Sequence, residues 1–207
     1  MHIVGLTGGI ASGKSYAAEY FIKMGARSLN CDALGHESYK KGSLSYIKIV
    51  STFGSDILDD NDEIDRRSLG PIVFSDSKKM DQLTSITWPA IKDLIRIKLN
   101  DFHVDDPNSI IMLEAAVLLE AGWDDLVDEI LVIYAPVESV IKRIKSRDNI
   151  DENQAKDRIN SQLSNEQRLK SANSSIENAG ELVDFQNNLD SYWSDLKLKL
   201  SETLGKQ

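Results

Sequence analysis

The chain has 207 residues, 41% of them hydrophobic and 28% charged, a balance that suits a globular protein with one sizeable core and room for a small appended subdomain. Its 33 Asp and Glu against 24 Lys and Arg give a formal net charge of −9. That charge argues against a nucleic-acid or anionic-membrane surface as the main partner, although a few focused cations in a cleft still suit a small anion. The single cysteine, Cys31, excludes an intramolecular disulfide and fits a reducing compartment. Met1 leads into an apolar strand with no signal or transit segment, and no apolar run nears the roughly 18 residues of a membrane span. The expectation from bulk properties is a cytoplasmic enzyme domain.

The first element is a short buried strand over residues 3–6, followed by a glycine-rich loop and a helix over 14–24. That helix sets Ala17, Phe21 and Met24 on one face and stops at Gly25. Residues 26–31 read as a second short strand ending at Asp32. A long helical region over about 35–104 follows, with turns at Lys41-Gly42 and around residues 59–62. Met80, Leu83 and Ile86, then Ile91, Leu94, Ile95 and Phe102, recur at helical spacing, and Pro89 between them is expected to begin a second helix. The apolar runs at 109–113 and 129–134 suit central strands of a parallel sheet covered on both faces. Val137, Val140, Ile141 and Ile144 make a helical stripe after Pro136. The stretch from Asp151 to Gln167 offers only Ala155, Ile159 and Leu163 at helical spacing, so it is expected to be exposed and mobile. A last helix near 187–204 aligns Leu189, Trp193, Leu196 and Leu200. Strands alternating with helices predict an α/β sheet.

Gly8-x-x-x-x-Gly13-Lys14-Ser15 has the spacing of a phosphate-binding loop, between a strand and a helix as that loop requires. Glycines let backbone N–H groups turn onto phosphate oxygens, and the helix N-terminus adds partial positive charge. Lys14 would neutralise the β and γ phosphates, and the Ser15 hydroxyl would hold Mg²⁺. Asp32 has three readings: a base taking a proton from an attacking hydroxyl, a helix N-cap, or the first residue of the Asp-x-x-Gly element of GTP switches. No Asn-Lys-x-Asp motif supports the last. Arg143 and Arg147, one turn apart, and Arg158 with Gln162 in the polar stretch, fit either a flap closing on a transferring phosphoryl group or a solvated basic face. The acidic run 59–63 lacks the glycine and terminal Glu of a calcium loop and reads as an exposed turn; His2, His36 and His103 share no metal-ligand spacing. The residues alone leave open a P-loop small-molecule kinase, for a nucleoside or a sugar among other acceptors, and a catalytically silent nucleotide-binding switch.

The chain resembles the dephospho-CoA kinase family over nearly its whole length. "VGLTGGIASGKS", "CDALGHESY", "FGSDIL", "IDRRSLGPIVF", "ITWPAI", "EAAVLLEAGW" and "RINSQLS" occur in the family's order. The forms "DALGH", "WPAI" and "AAVLLEAGW" look most like the kinase half of eukaryotic bifunctional CoA synthases, whose adenylyltransferase half has no counterpart here. The resemblance implies ATP- and Mg²⁺-dependent phosphorylation of the ribose 3′-hydroxyl of dephospho-CoA, giving CoA and ADP. It also implies a P-loop kinase-like core with a five-stranded parallel sheet, built from about 1–34, 105–135 and 171–207. A helical CoA-binding region over 35–104 and a lid over 136–170 complete it. By position it assigns ATP contacts to Gly8, Gly9, Ile10, Ala11, Ser12, Gly13, Lys14, Ser15, Arg147, Asn178 and Gly180. Asp32, Lys14 and Arg143 become the catalytic residues, Asp32, Arg66, Trp88 and Leu118 the acceptor contacts, and Ser15 the Mg²⁺ residue. ATP and dephospho-CoA are the expected partners, with no nucleic acid and no membrane; the oligomeric state is open, with a monomer favoured. Three positions depart from the family pattern, Ala11 for a glycine, Asn30 for the first acid of Asp-x-Asp and Glu114 for an aspartate, and "SSIENAG" is a loose form of its adenine loop.

Overall fold

Strand β1 (His2–Thr7) opens the chain in the computed structural model, which describes residues 1–204. Helix α1 (Lys14–Lys23) follows the glycine loop and gives way at Gly25, whose φ of +103° is the left-handed setting that ends helices without strain. Ala17, Ala18 and Phe21 form its buried face; Met24, expected there, is exposed because it lies one residue past the last turn. Strands β2 (Arg27–Asn30), β3 (Ile110–Glu114), β4 (Glu129–Tyr134) and β5 (Ser174–Glu177) complete a five-stranded parallel sheet in the order β2-β3-β1-β4-β5. The apolar runs of β3 and β4 are continuous because both faces are covered. On one face Val4, Leu6, Met112 and Leu131 pack against Phe21, Phe185 and Trp193, while on the other a Cβ at Gly5 would lie 2.8 Å from Leu118 Cδ2. The chain leaves β1 toward one side of the sheet and returns through β4 to the other, so the loop after β1 sits at the switch point where ligands gather.

Two compact units divide the chain: Met1–Leu29 with Asp106–Gln207, and Asn30–Asp105. Residues 205–207, which close the expected third core segment, lie outside the described residues. The second unit holds α2 (Cys31–Glu37), α3 (Leu44–Phe53), α4 (Arg66–Phe74) and α5 (Ser77–Asp105) around Tyr39, Ile49, Ile57, Ile64, Leu69 and Val73. Helix α5 runs unbroken through Pro89, where a new helix was expected. Thr87, Ile91, Ile95 and Leu99 fix one buried stripe along it, and Pro89 lies on the exposed face, where water can satisfy the carbonyl that loses its N–H partner.

In the first unit, α6 (Val137–Asp148) carries the expected stripe, with Val140 and Ile144 buried. The polar stretch forms two short helices, α7 (Glu152–Asn160) and α8 (Asn165–Lys170), because Asp151 and Ser164 each start a capping box. It is exposed over most of its length, yet it is anchored by two fully buried side chains, Ala155 and Arg168. Helix α9 (Leu182–Leu204) begins earlier than its apolar stripe because Leu182 and Val183 face outward. No helix among the described residues is long and apolar enough to cross a membrane.

Candidate active site

The loop after β1 needs its small residues for space and for backbone sign. A Cβ at Gly8 would stand 2.2 Å from the Ile133 carbonyl oxygen, so no side chain fits. Gly13, the N-cap of α1, holds φ at +104°. Ala11 also lies in the left-handed region, at φ +55°, a setting that costs an alanine roughly 1 kcal/mol relative to glycine. Its methyl group packs with Ile10 against Val140, Ile144 and Ala155, which ties the loop to α6 and α7.

Lys14 and Ser15 meet at one point. Lys14 Nζ and Ser15 Oγ each donate to Oε1 of Glu114 over 2.8 Å. Glu114 ends β3 in register with Leu6, which brings its carboxylate to the mouth of the loop. The glutamate, where the resemblance leads one to expect an aspartate, reaches both groups.

Arg143 of α6 reaches the loop. Its guanidinium donates to the carbonyls of Ala11 (3.2 Å) and Asn178 (2.9 Å) and to Asn178 Oδ1, while Asn178 Nδ2 donates to the Ser12 carbonyl (2.8 Å). Arg147 lies one turn further along and is held by Asp148 at 2.7 Å, and Arg158 pairs with the same carboxylate. The structure therefore brings Arg143 to the loop and leaves Arg147 and Arg158 in a surface ion cluster. Gln162, between α7 and α8, does meet the loop: its Oε1 accepts the Ile10 N–H at 2.9 Å.

Sequence reasoning missed Arg168, because one cation in a polar helix gives no periodic signal. It is 1% exposed, donates to the Leu163 carbonyl, and pairs with Glu120 at 3.2 Å. Burial pushes its guanidinium below the ordinary range, and the Glu120 charge opposes that shift. It also missed the aromatic wall of a groove of about 310 Å³, in which Tyr16 and Phe185 stand beside Arg143, Asn178 and Gly180.

Leu118, expected to touch the acceptor, is a core residue. It has no exposed surface and packs over Gly5. In the helical unit, Asn30 is the N-cap of α2, accepting the Ala33 N–H on its side chain, so Asp32 is not the cap; it is exposed in the first helical turn. Asn30, where the resemblance leads one to expect an acid, has a local use, since Asn is a strong N-cap. Arg66, exposed at the start of α4, lines a cavity of about 220 Å³ with Tyr39, Leu69 and Phe74. Trp88, half-buried on α5, is not among the residues lining that cavity.

No group of three or more His, Cys, Asp or Glu able to hold a metal ion occurs among the described residues. The donors at the loop nonetheless fit Mg²⁺, which takes one or two protein oxygens and fills the rest of its shell with phosphates and water: the Ser15 hydroxyl and Glu114 carboxylate are such a pair.

A family model described as dephospho-CoA kinase matches residues 2–184. The dephospho-CoA kinase of Bacillus licheniformis is 34% identical over 198 residues, 94% of this chain and 98% of the relative. That of Geobacter sulfurreducens is 35% identical over 195 residues, with the same coverage. These relatives are bacterial and of this chain's own length, and the bacterial-type family fits although three motifs had resembled the bifunctional enzymes. Among solved structures, the dephospho-CoA kinase from Campylobacter jejuni superposes with a TM-score of 0.71 at 30% identity, covering 94% of this chain and 96% of that one. A shikimate kinase from Acinetobacter baumannii, at TM-score 0.55 and 13% identity over 99% and 96% of the two chains, shares the P-loop kinase fold alone. The chain is a kinase, and it belongs to the dephospho-CoA kinase family.

Proposed function

We propose that the protein transfers the γ-phosphoryl group of ATP to the ribose 3′-hydroxyl of dephospho-CoA, giving CoA and ADP. The observation that carries this reading is the span of the family match, residues 2–184, which takes in the helical unit as well as the phosphate loop. Likeness confined to the loop would speak for any P-loop kinase.

Glu114 holds the Lys14 ammonium and the Ser15 hydroxyl at the loop's mouth, where the β and γ phosphates of ATP would take up the ammonium. Ser15, with Glu114 behind it, would hold Mg²⁺, which when bound with ATP neutralises and polarises the phosphate oxygens. Arg143, fixed by the Ala11 and Asn178 carbonyls, adds a cation at the phosphate end of the groove. Adenine is assigned to the groove of Tyr16, Phe185, Asn178 and Gly180, whose aromatic walls suit a planar base. Asp32 is the group that takes the hydroxyl proton, by its place in the family motif and its exposed carboxylate. Arg66 is an acceptor contact on the helical unit, and its cavity with Tyr39 and Leu69 supports that assignment. The partners proposed are ATP and dephospho-CoA, with no nucleic acid or membrane, and the compartment proposed is the cytoplasm; the net charge of −9 supports the exclusion of nucleic acid and anionic membrane.

The test is ATP consumption by the purified protein with Mg²⁺, with and without dephospho-CoA, the product identified by mass. Equal CoA and ADP, with little ATP loss when the acceptor is absent, is the expected result. ATP turnover that yields no CoA, or that follows another acceptor in a panel of nucleosides and sugars, overturns the reading. For Asp32→Asn, ATP affinity should stay within a few-fold while turnover falls at least about 100-fold; near-normal turnover removes Asp32 from the mechanism.

A further inference from the structure

We propose that Gln162 is a further catalytic residue of this reaction, donating from its side-chain NH₂ to the phosphoryl group in transfer, and that the buried Arg168–Glu120 pair is the positioning device that holds it there. This rests on the kinase reading above.

The orientation of the amide follows from its one fixed contact. The Ile10 N–H is a donor, and the Gln162 atom facing it at 2.9 Å is Oε1. The other prong of the planar amide is therefore the NH₂, which only donates. Gln162 lines a cavity of about 540 Å³ together with Gly9, Ile10 and Ser12 of the phosphate loop. The approach is close: a Cβ at Gly9 would stand 3.7 Å from Arg168 Nη1 and 3.9 Å from Gln162 Oε1. A neutral donor fixed beside the loop suits charge that moves onto the phosphoryl oxygens during transfer.

The turn that carries Gln162 is held from behind. Leu163 donates its N–H to Glu120 Oε1 at 3.4 Å and its carbonyl accepts from Arg168 Nη1, while Arg168 Nη2 donates to the same Glu120 oxygen. Arg168 Nε and Glu120 Oε2 are buried with no hydrogen-bond partner. A salt bridge that leaves a donor and an acceptor unsatisfied is a costly way to stabilise a fold, and an apolar pair would serve packing as well. Holding the Gln162 turn against the loop accounts for its presence. In the transfer step the acceptor O3′–Pγ bond forms, the bond from Pγ to the β,γ-bridging oxygen breaks with its electron pair going to ADP, and the hydroxyl proton goes to Asp32. Gln162 donates a hydrogen bond throughout and exchanges no proton.

Single-turnover transfer at saturating ATP and dephospho-CoA, beside ATP affinity by calorimetry, tests the proposal in the full-length protein. Gln162→Glu keeps an acceptor for the Ile10 N–H and loses the donor, and Gln162→Met loses both. Each should lower the transfer rate about 100-fold or more, and each should lower it by far more than it weakens ATP binding. The neutral exchange Arg168→Met with Glu120→Leu should lower the rate roughly tenfold. Adding Gln162→Met to that exchange should cost no more than Gln162→Met alone, because both act through one amide. A Gln162→Glu protein that transfers at the normal rate overturns the donor role, and effects that multiply overturn the link to Arg168. If the wild type makes CoA in these assays, either failure falls on this inference alone; if the wild type makes none, the kinase reading itself fails.

Discussion

The same chemical trio, a lysine, a glutamate and a hydroxyl, is built twice on one face of the sheet, and the two copies are used differently. At the end of β3, Glu114 takes Lys14 at 2.8 Å and the Ser15 hydroxyl; at the start of β4, Glu129 takes Lys199 at 2.9 Å and the Tyr192 hydroxyl. Both carboxylates are buried, 6% and 7% exposed, and they pair in register with Leu6 and Val4 of β1. The partners separate them. Lys14 is itself recessed, 11% exposed, and belongs to a loop whose backbone must stay open to phosphate, whereas Lys199 is 65% exposed on α9. Glu129 also has His2 and Tyr192 beside it, so it fastens the first strand to the last helix. The chemistry of a buried ion pair does not announce function; the element that contributes the cation does.

Breaking the first trio should cost the most. Lys14→Met is expected to lower kcat about 1,000-fold or more, since the cation proposed for the transferring phosphate would be gone, as steady-state CoA formation would measure. Glu114→Gln keeps a hydrogen-bond acceptor for Ser15 but no charge for Lys14, and a loss of about 10- to 100-fold in kcat is expected. A Glu114→Gln enzyme with full activity would make Glu114 as structural as Glu129.

The second trio should show in stability and leave kcat untouched. The Glu129 carboxyl is held at about 2, below its ordinary 4.5, by the His2 ring beside it and by the Tyr192 and Lys199 contacts, which together outweigh burial. A depressed carboxyl adds stability that is fully present above about 4.5 and is lost as pH falls through about 2. Urea titrations of wild type and Glu129→Gln should therefore differ by at most about 3 kcal/mol near neutral pH, with the gap closing below pH ~4.5. An unchanging gap would assign the difference to packing. Lys199→Met should do least, under about 1 kcal/mol, because an exposed lysine is screened by solvent; a larger loss in the same titration would mean that Glu129 depends on that one cation.

The loop, the strands before and after it, and the exposed turn at 59–62 could be read from the chain because their signals are local. Glycine spacing and continuous apolar runs dictate backbone conformation within a few residues. Strand β5 has only Ile176 buried among its four residues, so no pattern reveals it, and its place beside β4 comes from pairing alone. Pro89 looked like a boundary because its local cost is real, but the stripe from Thr87 to Leu99 packs as one face and carries the helix through.

The sequence by itself determined the nucleotide loop, Lys14 and Ser15, the α/β class and the family, since each rests on residue type at fixed spacing. Tertiary structure alone decided which side chains meet that loop. Arg143 and Arg147 share a helix face, but the setting of α6, fixed by buried Val140 and Ile144, lets only the first reach Ala11 and Asn178. Leu118 became core, and Arg168, unremarkable in its polar helix, became the most deeply buried charge of α6, α7 and α8. Spacing along a chain encodes local geometry; contact between segments more than a hundred residues apart depends on how whole faces pack, and no short pattern records that.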